Sequence, residues 1–155
     1  MNKSEQWAVF SLGDASDITG MSRRKVLLLI EQEVVSSTLP SGGRGNARRF
    51  TLLDIVRIQI AVRLENFGMA PRFMRKVVSK FTDRRLSPTK GSPPVEAQIT
   101  SSNGELSVTY KSEEEKALQV IGGKEGQKAD MILNIAIGTI INQTQRRAGE
   151  FNSPE

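Results

Sequence analysis

Three cations stand together where a helix is about to begin. Ser22 is a good N-cap, and Val26, Leu29 and Ile30 behind it form one apolar stripe, so the spacing predicts a helix from Ser22 to about Glu33. Arg23, Arg24 and Lys25 fill its first turn. The positive end of the helix dipole disfavours each of them by roughly 0.3–1 kcal/mol at low salt. A local rule broken three times running implies an outside anion that offsets the cost. Phosphate has the right chemistry, because helix N-termini bind it and Arg and Lys neutralise it. The plain alternative is a solvated basic end. A second cationic group follows in Gly42-Gly43-Arg44-Gly45-Asn46-Ala47-Arg48-Arg49, where Arg44, Arg48 and Arg49 have no nearby acid. Three glycines within four residues make a loop tip, whose flanks can pair as a short ribbon and carry Arg44, Asn46, Arg48 and Arg49 toward a phosphate or a minor groove.

Other chemistries are poorly supplied. The 155 residues contain neither Cys nor His, which removes disulfides, thiolate and imidazole catalysis, and most transition-metal sites. An enzyme would have to work with carboxylates and lysines, and no acids are paired at a telling spacing; a metal-dependent nuclease is the one form left open. Gly122-Gly123-Lys124-Glu125-Gly126 lacks the Gly-Lys-Ser/Thr ending of a phosphate loop and reads as a turn. We therefore expect no enzyme and no cofactor. Apolar residues at 37% and charged residues at 25% suit a folded chain. The longest dense apolar run, Met131 to Ile141, is well short of the ~18 residues of a membrane span, and no apolar leader follows Met1-Asn2-Lys3. The expectation is a cytoplasmic, nucleoid-associated protein with no membrane partner.

The elements that must position these cations can be read nearby. Ser11-Leu12-Gly13-Asp14 is a capping box that opens a first helix to about Thr19, and Gly20 supplies a left-handed stop. Helix, tight glycine turn and helix form the helix-turn-helix pattern. Thr51 and Asp54 make a second capping box for a helix to about Phe67, stopped at Gly68 and apolar over most of its circumference. Pro71 suits the first turn of a fourth helix, with Phe73, Met74, Val77, Val78 and Phe81 inward. Arg72, Arg75, Lys76 and Lys80 would form its outer face, either solvated or in further phosphate contact. Charge divides the chain. Residues 1–94 hold 16 Lys and Arg against 8 acids, a net of +8, while residues 95–155 hold 6 against 9, a net of −3. The proline-rich stretch 86–94 reads as a linker, giving a DNA-binding domain at 1–85 and a second domain at 95–155. A surface loop within one domain is the alternative.

The order and spacing of these N-terminal residues resemble the MerR-type winged helix-turn-helix. Phe10 through Val26 looks like its opening helices. Gly45-Asn46-Ala47-Arg48-Arg49-Phe50-Thr51-Leu52-Leu53-Asp54-Ile55 resembles its wing and the entry to its third helix. Leu64 to Gly68 resembles that helix's end. The resemblance covers about residues 10–81. It implies DNA binding by a dimer on an inverted repeat, with contacts from Arg23, Arg24 and Lys25 in the recognition helix and from Arg48 and Arg49 in the wing. The chain departs from the family at Leu27, Leu28 and Leu29, where a basic residue and two aromatics are usual. It departs again at Ala47 in place of a wing tyrosine, and in having no long coiled coil after the fourth helix. Sensing by cysteines is impossible.

The second domain reads as a hairpin and a helix. Val95, Ala97 and Ile99 alternate with polar residues, as do Leu106, Val108 and Tyr110, and Asn103-Gly104 between them is a strong turn signal. That turn pairs Ser102 with Glu105, Ile99 with Val108, and Ala97 with Tyr110. Glu113-Glu114-Glu115 is a solvated run or a first helical turn. A final helix is expected from about Ala129 to Arg147, with Ile132, Leu133, Ala136, Ile137, Ile140 and Ile141 as a broad apolar stripe. Gly138 inside it, costing about 1 kcal/mol relative to Ala, suggests close helix contact. One hairpin cannot easily cover that stripe. Those six residues are therefore expected to mediate dimerisation, or else to pack on the N-terminal module.

The fold expected is α+β: a winged helix-turn-helix, a linker, and a hairpin with a long helix. The function expected is sequence-specific binding of double-stranded DNA by a MerR-like transcriptional regulator. Alternatives are an architectural factor of recombination or DNA packaging, excisionase-like or small-terminase-like, and an antitoxin-like adaptor that binds a protein partner through residues 95–155.

Overall fold

The computed structural model describes residues 9–37, 39, 48–88, 94–103, 105–112 and 131–152. Arg44, Asn46, the acidic run at 113–115 and the turn at 122–126 lie outside them. The fold is mixed α and β, with two small antiparallel sheets. The chain divides into two compact units, Met1–Ser79 with Ile140–Glu155, and Lys80–Thr139.

In the first unit, strand β1 (Phe10–Ser11) leads into helix α1 (Leu12–Thr19). The Ser11 hydroxyl accepts from the Asp14 amide at 3.1 Å, and the Asp14 carboxylate accepts from the Ser11 amide at 2.8 Å. This is the reciprocal capping box expected from the sequence. Gly20 closes α1 at φ 71°, a left-handed conformation that glycine adopts without a Cβ penalty. Helix α2 (Arg23–Glu31) follows after two residues, with Val26 and Leu29 buried. Strand β2 (Arg49–Phe50) pairs with β1, Phe10 opposite Phe50 and Ser11 opposite Arg49. Residues 49–50 pair with residues 10–11, and most of the ribbon expected between the flanks of the glycine loop lies outside the described residues. Both phenylalanines are buried, which fixes the register from the core side.

Helix α3 (Leu52–Asn66) is the centre of this unit. Thr51 and Asp54 cap it reciprocally, and Leu52, Leu53, Ile55, Val56, Ile58, Ile60, Ala61 and Leu64 are all buried. Asp54 is itself buried; it accepts from the Thr51 amide at 2.9 Å and from Arg57 at 3.1 Å, so its charge has partners. Gly68 (φ 80°) ends the turn that follows, and helix α4 (Pro71–Val78) begins on proline with Met74, Val77 and Val78 buried.

The second unit contains a short helix α5 (Asp83–Leu86) and strands β3 (Glu96–Ser102), β4 (Glu105–Lys111) and β5 (Met131–Ile135), in the order β4-β3-β5. The hairpin register is the expected one: Ser102 faces Glu105, Ile99 faces Val108 and Ala97 faces Tyr110. One sheet face carries Ala97, Ile99, Leu106, Val108, Tyr110, Leu133 and Ile135. The other carries Gln98, Thr100, Ser107, Thr109 and Asn134; on it Gln98 donates to Asn134 at 3.2 Å. Phe81 meets Tyr110 edge-on at 5.7 Å, Arg85 lies over the Tyr110 ring at 5.6 Å, and the Tyr110 hydroxyl donates to the Lys80 carbonyl at 2.6 Å.

Two expectations fail here. The expected helix over 129–147 is instead β5 followed by helix α6 (Ile137–Asn152). The hairpin left one flank of β3 open, and Met131–Ile135 pairs there from Ser101 to Ala97. A third strand gives the sheet the width that two strands lack. Gly138 does mark a close approach, but to a strand residue. A Cβ there would lie 3.1 Å from the Val95 Cα, and its amide donates to the Val95 carbonyl at 3.0 Å. The boundary differs as well. Leu86, the expected first residue of the linker, is fully buried, and the chain divides between Ser79 and Lys80.

Candidate nucleic-acid interface

The turn between α1 and α2 is held by its own hydroxyls. Thr19 donates to the Ala15 carbonyl at 2.7 Å, Ser16 donates to the Met21 carbonyl, and the Met21 amide returns to the Ser16 carbonyl at 3.1 Å. Ser22 then caps α2 by accepting from the Lys25 amide at 3.2 Å. These bonds set the direction of α2 relative to α1, and with it the direction of the cations.

The three cations have different surroundings. Arg23 and Arg24 are exposed, and neither has an ion-pair partner among the described residues. The Arg23 guanidinium lies against the first turn of α1, where a Cβ on Gly13 would come within 3.0 Å of it. Lys25 is half-buried and forms an ion pair with Glu65 of α3. In the sequence the three are equivalent; the fold ties Lys25 to its own scaffold.

Past Arg24, the exposed row on α2 continues at Leu28 and Glu31, four and seven residues on. Leu28 keeps 39% of its surface in solvent. An arginine, an apolar side chain and a carboxylate thus share one outward line, a set able to donate to guanine, touch a thymine methyl and accept from cytosine.

On the other side of the glycine loop, Arg49 is exposed on β2, and its carbonyl accepts from the Ser37 hydroxyl. Arg48 is half-buried, and its buried Nη1 has no hydrogen-bond partner among the described residues.

Arg75, expected on the outer face of α4, is engaged elsewhere. It donates to the Gln32 carbonyl at 2.9 Å and pairs with Glu33 at 3.1 Å. It therefore covers the C-terminal end of α2, where a cation is favourable. Glu33 adopts φ 55°, an uncommon conformation for a non-glycine residue. Arg147 does the same for α1, donating to the Ile18 carbonyl at 2.8 Å. Neither cap could be read from the sequence, because the partners lie 43 and 129 residues apart.

The six residues expected to mediate dimerisation do not share one surface. Ile132 and Leu133 are on β5, Ala136 follows it, and Ile137, Ile140 and Ile141 are on α6. Ile137, Ile140 and Ile141 are buried within the chain itself, with Thr144 and Ala148 continuing their stripe. The helix stripe is spent on the chain's own core, so it is not an outward face. Ile132 points the other way and is 54% exposed.

Among the described residues there is no group of three or more acids that could hold a metal ion, and no helix is long and apolar enough to cross a membrane. A comparison with protein-family models finds none that matches this chain, and a comparison with curated proteins finds none that is similar.

Proposed function

We propose that this protein binds double-stranded DNA in the manner of a MerR-like winged helix-turn-helix transcriptional regulator. In this reading α2 is the recognition helix, and the residues around Arg48 and Arg49 are the wing. It acts in the cytoplasm as a dimer on an inverted repeat, with recognition helices in successive major grooves about 34–36 Å apart. It is a binding protein rather than an enzyme.

The observation that carries this reading is the pair Arg23 and Arg24. Both are exposed at the N-terminus of α2, neither has an ion-pair partner among the described residues, and both begin a helix whose dipole disfavours them. A duplex backbone supplies the missing counter-charge, and α2 carries side chains suited to base edges one and two turns further on. The N-terminal excess of +8 supports the same partner.

The test is a fluorescence-anisotropy titration of labelled duplex, first with random DNA and then with a site enriched from a random pool. Affinity is expected to fall steeply with salt, and Arg24→Ala is expected to weaken the enriched site more than random DNA. No retention of any duplex in dilute buffer overturns the proposal.

A further inference from the structure

We propose that Leu28 and Glu31 read two adjacent base pairs in the major groove, Leu28 the methyl of a thymine and Glu31 the N4 amino group of a cytosine one step further on. This rests on the duplex binding proposed above and names the sequence that α2 selects.

The electrostatics of α2 are reversed at both ends. Its first turn carries cations and no acid, and its last residue, Glu31, is a carboxylate at the negative end of the helix dipole. Two acids lie at that end, and the fold treats them differently. Glu33 pairs with Arg75 at 3.1 Å. Glu31 is exposed and has no ion-pair partner among the described residues. Each end of α2 therefore calls for compensation from outside the chain, an anion at Arg23 and Arg24 and a hydrogen-bond donor at Glu31. A duplex groove supplies both, because phosphates flank base edges that carry amino groups.

Arg24, Leu28 and Glu31 lie within about 60° of one another around the helix axis, while Val26 and Leu29 are buried. That outward line is held at both ends. Lys25 ties the first turn of α2 to α3, and Arg75 donates to the Gln32 carbonyl just past the last turn at 2.9 Å. A pinned helix can keep short side chains against base edges. Three residues of helix rise by about 4.5 Å and one base-pair step is about 3.4 Å, so Leu28 and Glu31 meet neighbouring pairs.

The carboxylate narrows the choice of base. Phosphates repel it, so Glu31 lowers affinity for DNA at large and is favourable only where a donor meets it. Guanine presents N7 and O6, and thymine presents O4, all of them acceptors. Adenine sets its amino group beside the N7 acceptor, whereas cytosine presents its amino group alone. Leu28 has no polar atom, and the thymine methyl is the apolar group that the groove offers it.

The test is selection of bound duplex from a random pool by the full-length native, Glu31→Gln, Glu31→Ala and Leu28→Ala proteins, with urea unfolding of each. Both side chains are exposed, so the unfolding midpoints should stay close to native. The native protein is expected to enrich a C·G pair beside a T·A pair. Glu31→Gln should change the first to A·T and keep the second, since an amide side chain pairs with adenine N6 and N7. Glu31→Ala should lose the native preference for C·G, roughly 5- to 100-fold over other pairs, yet bind random duplex more tightly than native. Leu28→Ala should relax the T·A position alone. A native pool without C·G at this place, or a Glu31→Gln pool identical with the native one, overturns the assignment and leaves duplex binding standing. No retention of any duplex by the native protein overturns duplex binding, and the assignment with it.

Discussion

At the scale of single residues, the basic start of α2 separates into two cations with no ion-pair partner among the described residues and one structural cation. Arg24→Ala is expected to lower the slope of log affinity against log salt by about 0.9 if its contact is to phosphate. Lys25→Met is expected to leave the slope nearly unchanged, because its ammonium already faces Glu65. That pair is partly exposed, so its loss should cost less than about 1 kcal/mol, measurable by urea unfolding. Gly13→Ala tests Arg23 from the other side. The added methyl meets the far end of a flexible guanidinium, so affinity should change while the urea midpoint barely moves. Leu28 has its own assay. If it touches a thymine methyl, replacing thymine by uracil in the enriched site should weaken the native protein several-fold and Leu28→Ala hardly at all. Equal losses in both proteins would assign Leu28 to another role.

At the scale of elements, the packing of α6 sets the largest expected effects. Ile140→Ala should cost about 2–5 kcal/mol, since the side chain is 2% exposed and leaves a cavity. A residue on an oligomer face would make the loss depend on protein concentration; here the loss should be the same at every concentration. Gly138→Ala should also destabilise, by about 1–3 kcal/mol, because its methyl would press on the Val95 backbone. These elements also show what the sequence could and could not convey. Both capping boxes, the Gly20 stop, the start of α4 at Pro71 and the hairpin register were legible, because each is written in neighbouring residues. Met131–Ile135 reads as helix in the sequence because a short apolar run before a helix continues the helical stripe. Only the open flank of β3, some thirty residues earlier in the chain, makes it a strand. The same limit hid the Arg75 and Arg147 caps and the Lys25–Glu65 pair. Their chemistry is ordinary, and only their proximity is new.

For the whole molecule, charge and titration are the relevant properties. With no histidine, no side chain has an ordinary pKa between pH 5 and 8. Duplex affinity at fixed ionic strength should therefore be flat from pH 6 to pH 8, as followed by anisotropy. A sigmoidal change in that window would point to a strongly shifted carboxylate or lysine at the interface. The basic excess lies in residues 1–94, so added salt should weaken duplex binding steeply.

Helix α6 has its first turn in one unit and the rest in the other, and Arg147 near its end closes α1 at the chain's beginning. Synthesis runs from the N-terminus, so residues 10–79 leave the ribosome well before the segment that finishes their core. A nascent chain halted near residue 139 would present its cations on an unfinished scaffold. The order of translation thus completes the core of the first unit only after the second unit has been made.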